Sequence, residues 1–276
     1  YGAYDNADTE GNNLAIGRDA LGGSINGGEF NVAVGNFSLD ANTSGDRNVA
    51  LGYVALTQNS TGTYNVGIGG GALQLNSSGS SNTSLGNNSM YSNTSANYNT
   101  AIGAEALYDA ARTADTDGYN TALGYNAGNT GTNDITTGNK NTLLGASTAA
   151  SAAAGTNQTV IGFGASGTAD NSVTIGNSSV TAWYPGSDDT ADLGSSSVEF
   201  KDLYIDGTAN LDAVDIDGGA IDGTAIGANS ASTGAFTTIT ASTSVDVTGS
   251  TGIILENDES ITNSTNGTVL INGTVA

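Results

Sequence analysis

One five-residue phrase recurs through most of this chain: Asn, then Val or Thr, a small residue, an aliphatic residue and Gly. It reads Asn-Leu-Ala-Ile-Gly at 13–17, Asn-Val-Ala-Val-Gly at 31–35 and Asn-Thr-Ala-Ile-Gly at 99–103, and closes with Gln-Thr-Val-Ile-Gly at 158–162 and Ser-Val-Thr-Ile-Gly at 172–176. The step between successive phrase glycines is 17 or 18 residues for five intervals, 21 for the next two, then 17 and 14. A repeat this short cannot bury an apolar face alone and must stack on its neighbours, so the chain is constrained to a solenoid.

Each unit has a second half. Three residues after the Gly comes a small residue and then an apolar one, as in Ala20-Leu21, Ala55-Leu56 and Ser89-Met90. The pair fades at Ala127-Gly128, Thr148-Ala149 and Ala165-Ser166 and returns at Ser179-Val180. A polar stretch rich in Asn, Ser, Thr and Gly leads to the next phrase. One coil therefore reads as strand, Gly turn, strand, polar turn, with residue types that favour strands over helices. The all-β class follows: a parallel β-roll of about ten coils over residues 13–180.

Within the phrase, the fourth position is always aliphatic and is expected to form the buried row: Ile16, Val34, Leu51, Ile68, Leu85, Ile102, Leu123, Leu144, Ile161 and Ile175. Side chains alternate across a strand. The second position then shares that face, while the small third position lies opposite and lets the other wall or a neighbouring subunit approach. An Asp at Ile102 or Leu123 should then collapse the roll. The turn glycines Gly17, Gly35, Gly52, Gly69, Gly86, Gly103, Gly124, Gly145, Gly162 and Gly176 supply a backbone conformation that a Cβ penalises. The leading Asn residues, stacked coil on coil, form a hydrogen-bonded ladder. Steps of 21 lengthen only the polar connection, which should project as loops from one edge.

These units resemble the head repeats of trimeric autotransporter adhesins, nearest at Ser172–Gly176, although the adhesin step is shorter. The Tyr-Asn-Thr-Ala variants at 98–101 and 119–122 are similar to repeats in tail fibres of aquatic bacteriophages. Beyond Trp183 the repeat stops. Residues 192–207, Asp-Leu-Gly-Ser-Ser-Ser-Val-Glu-Phe-Lys-Asp-Leu-Tyr-Ile-Asp-Gly, resemble a segment of phage tail-fibre and tailspike proteins, as does the stretch 221–236. The resemblance implies a left-handed roll assembled as a homotrimer, in an extracellular virion tail fibre that attaches to a host-surface glycan or protein and joins other fibre proteins. The alternatives are a bacterial trimeric adhesin or cell-surface filament, and a glycan-cleaving tailspike. The organisation expected is a cap or shaft continuation over 1–12, the roll over 13–180, a connector over 181–190, and a smaller β-rich trimerisation region over 191–276. The chain opens on Tyr1 rather than Met and shows no signal peptide, which reads as a fragment or processed form.

Composition sets the remaining bounds. With 5 Lys and Arg against 27 Asp and Glu, the net charge is −22, which excludes a phosphate-neutralising surface for nucleic acid. No stretch reaches the length of a spanning helix. His and Cys are both absent, which removes histidine- and thiolate-based catalysis and disulfides. Carboxylate pairs remain: Asp188/Asp189, Asp115/Asp117, and Glu256, Asp258 and Glu259. All sit in polar connections and read as solvated turn formers, so no enzyme and no cofactor is expected. Hard oxygen ligands near a Gly turn make Asp115, Asp117, Asp215 and Asp217 the calcium candidates. Gly69–Gly71 and Gly27-Gly28 lack a following helix or Lys and read as turns rather than phosphate loops. The Asn-x-Ser/Thr sites at Asn42, Asn59 and Asn93 read as compositional. Tyr64, Tyr98 and Tyr119 read as a ladder of mutually packed rings, with sugar binding as its alternative.

Overall fold

The computed structural model describes residues 11–24, 26–110, 117–184, 193–195 and 197–206. The chain divides into two compact units, Tyr1–Ser195 and Ser196–Ala276. The first is an all-β solenoid of about nine turns, with no helix among the described residues. Its ten strands are three residues each: β1 (Leu14–Ile16), β2 (Val32–Val34), β3 (Val49–Leu51), β4 (Val66–Ile68), β5 (Thr83–Leu85), β6 (Thr100–Ile102), β7 (Thr121–Leu123), β8 (Thr142–Leu144), β9 (Thr159–Ile161) and β10 (Val173–Ile175). They form one parallel sheet in sequence order, each pairing with the next in repeat register, so that Ala15 faces Ala33 and Val34 faces Leu51.

The second half of each coil is not a strand. It is an irregular wall in which the apolar residue takes a left-handed conformation, with φ of +50° at Leu21, +54° at Leu56, +52° at Leu73 and +47° at Met90. Such a conformation costs a non-glycine residue about 1–3 kcal/mol. Burying a Leu side chain, worth about 1.5–3 kcal/mol, and a backbone bond to the next coil offset it. Leu21 N–H donates to Ser38 at 3.0 Å and Leu56 N–H to Ala72 at 3.0 Å.

The burial of the strands reverses the expected sides. The fourth-position row from Ile16 to Ile175 faces outward: Ile16 is 55% exposed, Leu51 45%, Leu123 43%, and Val34, Ile68, Ile102 and Ile161 are half-buried. The interior row is the small third position, with Ala33, Ala50, Ala101 and Ala122 fully buried. The reason is width. A coil of about 17 residues encloses a core one side-chain layer thick, and that layer is already supplied by Leu21, Leu39, Leu56, Leu73, Met90 and Leu107 from the opposite wall. Only Ala, Gly or Ser fits across from them. At Gly67 an added Cβ would lie 3.2 Å from the Leu56 side chain. Ser84 is accommodated by donating its hydroxyl to the Ser89 carbonyl at 2.8 Å.

The two inner positions trade volume along the rod. Coils one to six pair a small third residue with Leu or Met opposite. In coil eight the third residue becomes Leu143 and the facing residue shrinks to the buried Ala149; in coil nine Val160 fills the interior and Ser166 is exposed. Coil seven has Ala122 facing Gly128, small on both sides. There the inserted connection supplies the missing volume: Ile135 is buried, and a Cβ on Gly128 would meet Leu107, Leu143 and Ile135 at 2.8, 3.0 and 3.8 Å. The longer step is therefore not only a projecting loop, as its sequence suggested, but also a core plug.

Two Asn ladders and a Gly ladder fix the coil spacing. The leading Asn of each phrase is buried from Asn31 to Asn141. Its Oδ1 accepts the backbone N–H of the next one, at 2.9 Å for Asn31 and 3.0 Å for Asn48 and Asn65. Its Nδ2 donates to a turn carbonyl, as from Asn65 to Gly79 at 2.7 Å. A second ladder runs through Asn42, Asn59, Asn76 and Asn93 in the polar turn, with Nδ2 of each donating to Oδ1 of the one before. It stops where Ala110 takes the next rung, and Asn93 Oδ1 is left without a partner. The Asn42, Asn59 and Asn93 side chains are wholly buried, so these three Asn-x-Ser/Thr sites are interior structure.

The phrase glycines hold φ between +121° and +143° from Gly17 to Gly162, a region essentially reserved for Gly. They also stack directly: a Cβ on Gly69 would lie 2.5 Å from the Gly86 carbonyl oxygen. Gly69→Ala should lower stability by about 1–3 kcal/mol from conformation alone, with the backbone overlap adding to it. An unchanged denaturation midpoint would contradict this. Asn65→Leu strands the Asn82 N–H, worth about 1–3 kcal/mol when buried unpaired, while the Gly79 carbonyl keeps its bond from Asn76 Nδ2. Asn87→Ala, at an exposed rung, should stay within about 0.5 kcal/mol of wild type. Equal midpoint shifts for the two variants would remove the ladder from the account.

Candidate functional site

Three surface features rise from this scaffold. The first is the outward sheet face. Because the register is in frame, the second and fourth positions of every phrase line up into two parallel rows, Leu14 to Val173 and Ile16 to Ile175. The first row is aliphatic in β1–β4 and mostly Thr afterwards; the second is aliphatic throughout. The result is a continuous apolar stripe over all ten strands with no covering layer from its own chain among the described residues.

The second feature is the residue just before each leading Asn. This position is again left-handed, with φ of +59° at Phe30, Tyr64 and Tyr98 and +49° at Tyr119. The side chains project and stack on the next coil. Tyr98 and Tyr119 lie parallel, 5.2 Å apart at 5°. Arg47 sits between two rings, 5.1 Å from Phe30 and 5.4 Å from Tyr64. Of the expected ladder only Tyr98 and Tyr119 pack ring on ring; Ser81 separates them from Tyr64, which packs on Arg47, a cation between aromatics that sequence reasoning missed. Tyr119 donates its hydroxyl to Asp117 Oδ2 at 2.9 Å, and Asn97 donates to Asp117 Oδ1 at 3.4 Å. That hydrogen bond, followed by desolvation, raises the Tyr119 hydroxyl above its ordinary value. Asp117 thus serves the ring ladder. Its proposed calcium partner Asp115, the second pair Asp215 and Asp217, and the carboxylates at 188–189 and 256–259 lie outside the described residues. Among the described residues no group of three acidic side chains is placed to hold a metal ion.

The third feature was not singled out from sequence. The inserted connection of coil seven makes an open cleft of about 460 Å³, lined by residues including Glu105, Tyr108, Asp109, Asn126, Asn129 and Asp134. Asp134 Oδ1 folds the loop by accepting the Thr130 and Gly131 N–H groups at 2.5 and 2.8 Å. Tyr108 is held parallel to Tyr91, with centroids 5.0 Å apart at 3°. Asn126 Oδ1 is shut off from solvent without a hydrogen-bond partner. Desolvation, then Tyr91 and the carboxylates Asp109 and Glu105, raise the Tyr108 hydroxyl. Burial first and Asp134 second raise the Asp109 carboxyl. The only sequence signal for the cleft was the pair of 21-residue steps.

The chain matches no protein-family model, and no curated protein is similar to it in sequence.

Both carboxyl shifts that are resolved run upward, since Asp40 is likewise raised by burial and then by Asp19. A carboxyl harder to ionise in the folded chain contributes stability that is fully present below its unfolded value, near 3.8. That contribution is lost as pH rises through the raised folded value. The melting temperature should therefore climb as pH falls from about 6 to about 4, and Asp40→Asn with Asp109→Asn should flatten the climb. A melting temperature that drops over this window, or a climb unaffected by the two changes, would count against the assignment.

Proposed function

We propose that this chain is the shaft of an extracellular homotrimeric fibre, a phage tail fibre or appendage that holds a host-recognition surface away from the particle. The observation that carries the reading is the outward aliphatic stripe from Ile16 to Ile175. A contiguous apolar face of this length is unusual on a free monomer and marks an interaction surface. The occupant that fits best is the same face on other copies: it is flat, continuous, in register and free of charged residues at its second and fourth positions. The likeness to adhesin heads supplies the number three and the left hand of the roll.

The assignment to a phage, rather than to an adhesin or cell-surface filament, rests on the likeness of residues 192–207 and 221–236 to tail-fibre segments. Those segments belong to the smaller fibrous region proposed for 191–276, where contacts with other virion proteins would be made. A non-enzymatic role fits the absence of His and Cys and the engagement of Asp117 and Asp134 in structure. The large negative charge disfavours nucleic acid and anionic membranes as partners.

The reversed burial changes what a charge at the fourth position should do. Leu85→Asp and Leu123→Asp, both outward, should break the assembly rather than the interior of the coil. Native protein should sediment at three chain masses. The double variant should shift to one chain mass, with a melting temperature that no longer depends on protein concentration. Wild-type protein that remains a monomer at micromolar concentration would overturn the proposal.

A further inference from the structure

We propose that the cleft between the coil-six corner and the coil-seven insertion binds one non-anionic sugar unit of a surface glycan. None of its lining residues belongs to a strand, so the site is separate from the outward stripe and stands on its own geometry. The proposal deepens the host-attachment reading by naming a ligand class.

Four observations carry it. The cleft, at about 460 Å³, falls within the range of small-molecule sites, about 300–1,000 Å³. Tyr108 offers it an aromatic surface. Its ring is fixed against Tyr91 on one side, and the corresponding residue of the next coil is Asn129, so the aromatic stack ends at the cleft. The apolar C–H face of a sugar ring packs against such a surface, while its hydroxyls stay free for polar contacts.

The polar lining is rich in acceptors. Glu105 and Asp109 contribute carboxylates. Sugar hydroxyls donate to carboxylates in charge-assisted hydrogen bonds. The same carboxylates repel sialic acid, uronic acids and phosphorylated sugars, as does the net charge of −22. A metal-bridged mode is not supported, because no described acidic group is placed to hold a cation. The loop that forms the cleft is also held rigidly: Asp134 caps its backbone and Ile135 anchors it in the core.

The test is saturation-transfer NMR and calorimetry on the native assembly. The probes are lactose, maltose, mannobiose and chitobiose, with sialyllactose as the anionic control. At least one neutral disaccharide should bind at millimolar concentration or better without added calcium, and sialyllactose should not bind through its sialic acid. Glu105→Gln and Tyr108→Ala should each weaken binding by more than about tenfold, with circular dichroism and melting used to verify folding. Tyr108→Phe should retain binding, because the ring and not the hydroxyl forms the platform. Silence from all neutral probes, binding abolished by a chelator, or binding unaffected in folded Tyr108→Ala would overturn the proposal. Loss of sugar binding in a protein that still sediments as a trimer removes the cleft assignment alone. Sugar binding by a monomer removes the shaft assignment alone.

Discussion

In-register stacking is the constraint on which the rest of this structure depends. When each coil sits on the next with its phrase aligned, nearly every side chain meets a copy of itself about 4.8 Å away. That selects residues able to tolerate their own company. Gly stacks on Gly because only Gly can approach so closely at positive φ. Asn stacks on Asn because an amide carries both donor and acceptor and can pass the bond along. Ala, Leu and Tyr stack through dispersion. Charges fare badly, which accounts for a chain with only 12% charged residues. Where carboxylates do come near each other, as Asp40 with Asp19 or Asp109 with Asp134, burial first and the like charge second make the carboxyl harder to ionise. Arg47 avoids the conflict by lying between Phe30 and Tyr64 rather than beside another cation.

The period, the parallel pairing, the turn glycines and the Asn ladder were all legible in the sequence, because each is a residue type demanded by backbone geometry. Which strand face points inward was not. Alternation separates two faces but does not label them, and a one-residue slip exchanges them. Aliphatic residues at the fourth position looked like the core because bulky apolar side chains are usually interior. In a coil one layer thick the interior is limited by volume, and the opposite wall had already filled it. The clue lay in the pairs: Ala with Leu in early coils, Leu143 with Ala149 in coil eight. A reciprocal exchange of size marks two positions that share one space. The left-handed Leu and Met residues were beyond reach, since nothing in those residue types favours positive φ.

The same logic explains why the insertions fall where they do. A longer connection interrupts the second Asn ladder, and the break is visible at Asn93, whose Oδ1 has no successor. The early coils keep that ladder intact and keep 17-residue steps. Once it ends, the polar turn is free to grow, and coil seven uses the freedom twice. Ile135 restores core volume lost at Gly128, and Asn129–Asp134 shape a cleft outside. A repeat that is otherwise monotonous thereby acquires one place unlike the others.

That division of labour bears on function. A stripe built from two rows repeated over ten strands is best matched by a surface with the same translational repeat, and the proposed occupant, another copy of the chain, is the simplest such object. A cleft that occurs at one coil has no periodic partner and suits a discrete ligand. The coil-seven loop is tied to both worlds: its backbone is capped by Asp134, its hydrophobic anchor lies among Leu107 and Leu143, and its outer surface meets Tyr108 and Asn126. The proposed sugar-binding surface would therefore inherit the stiffness of the rod. A recognition site anchored in this way gives up little conformational freedom on binding, which lowers the entropic cost that weak sugar contacts must overcome.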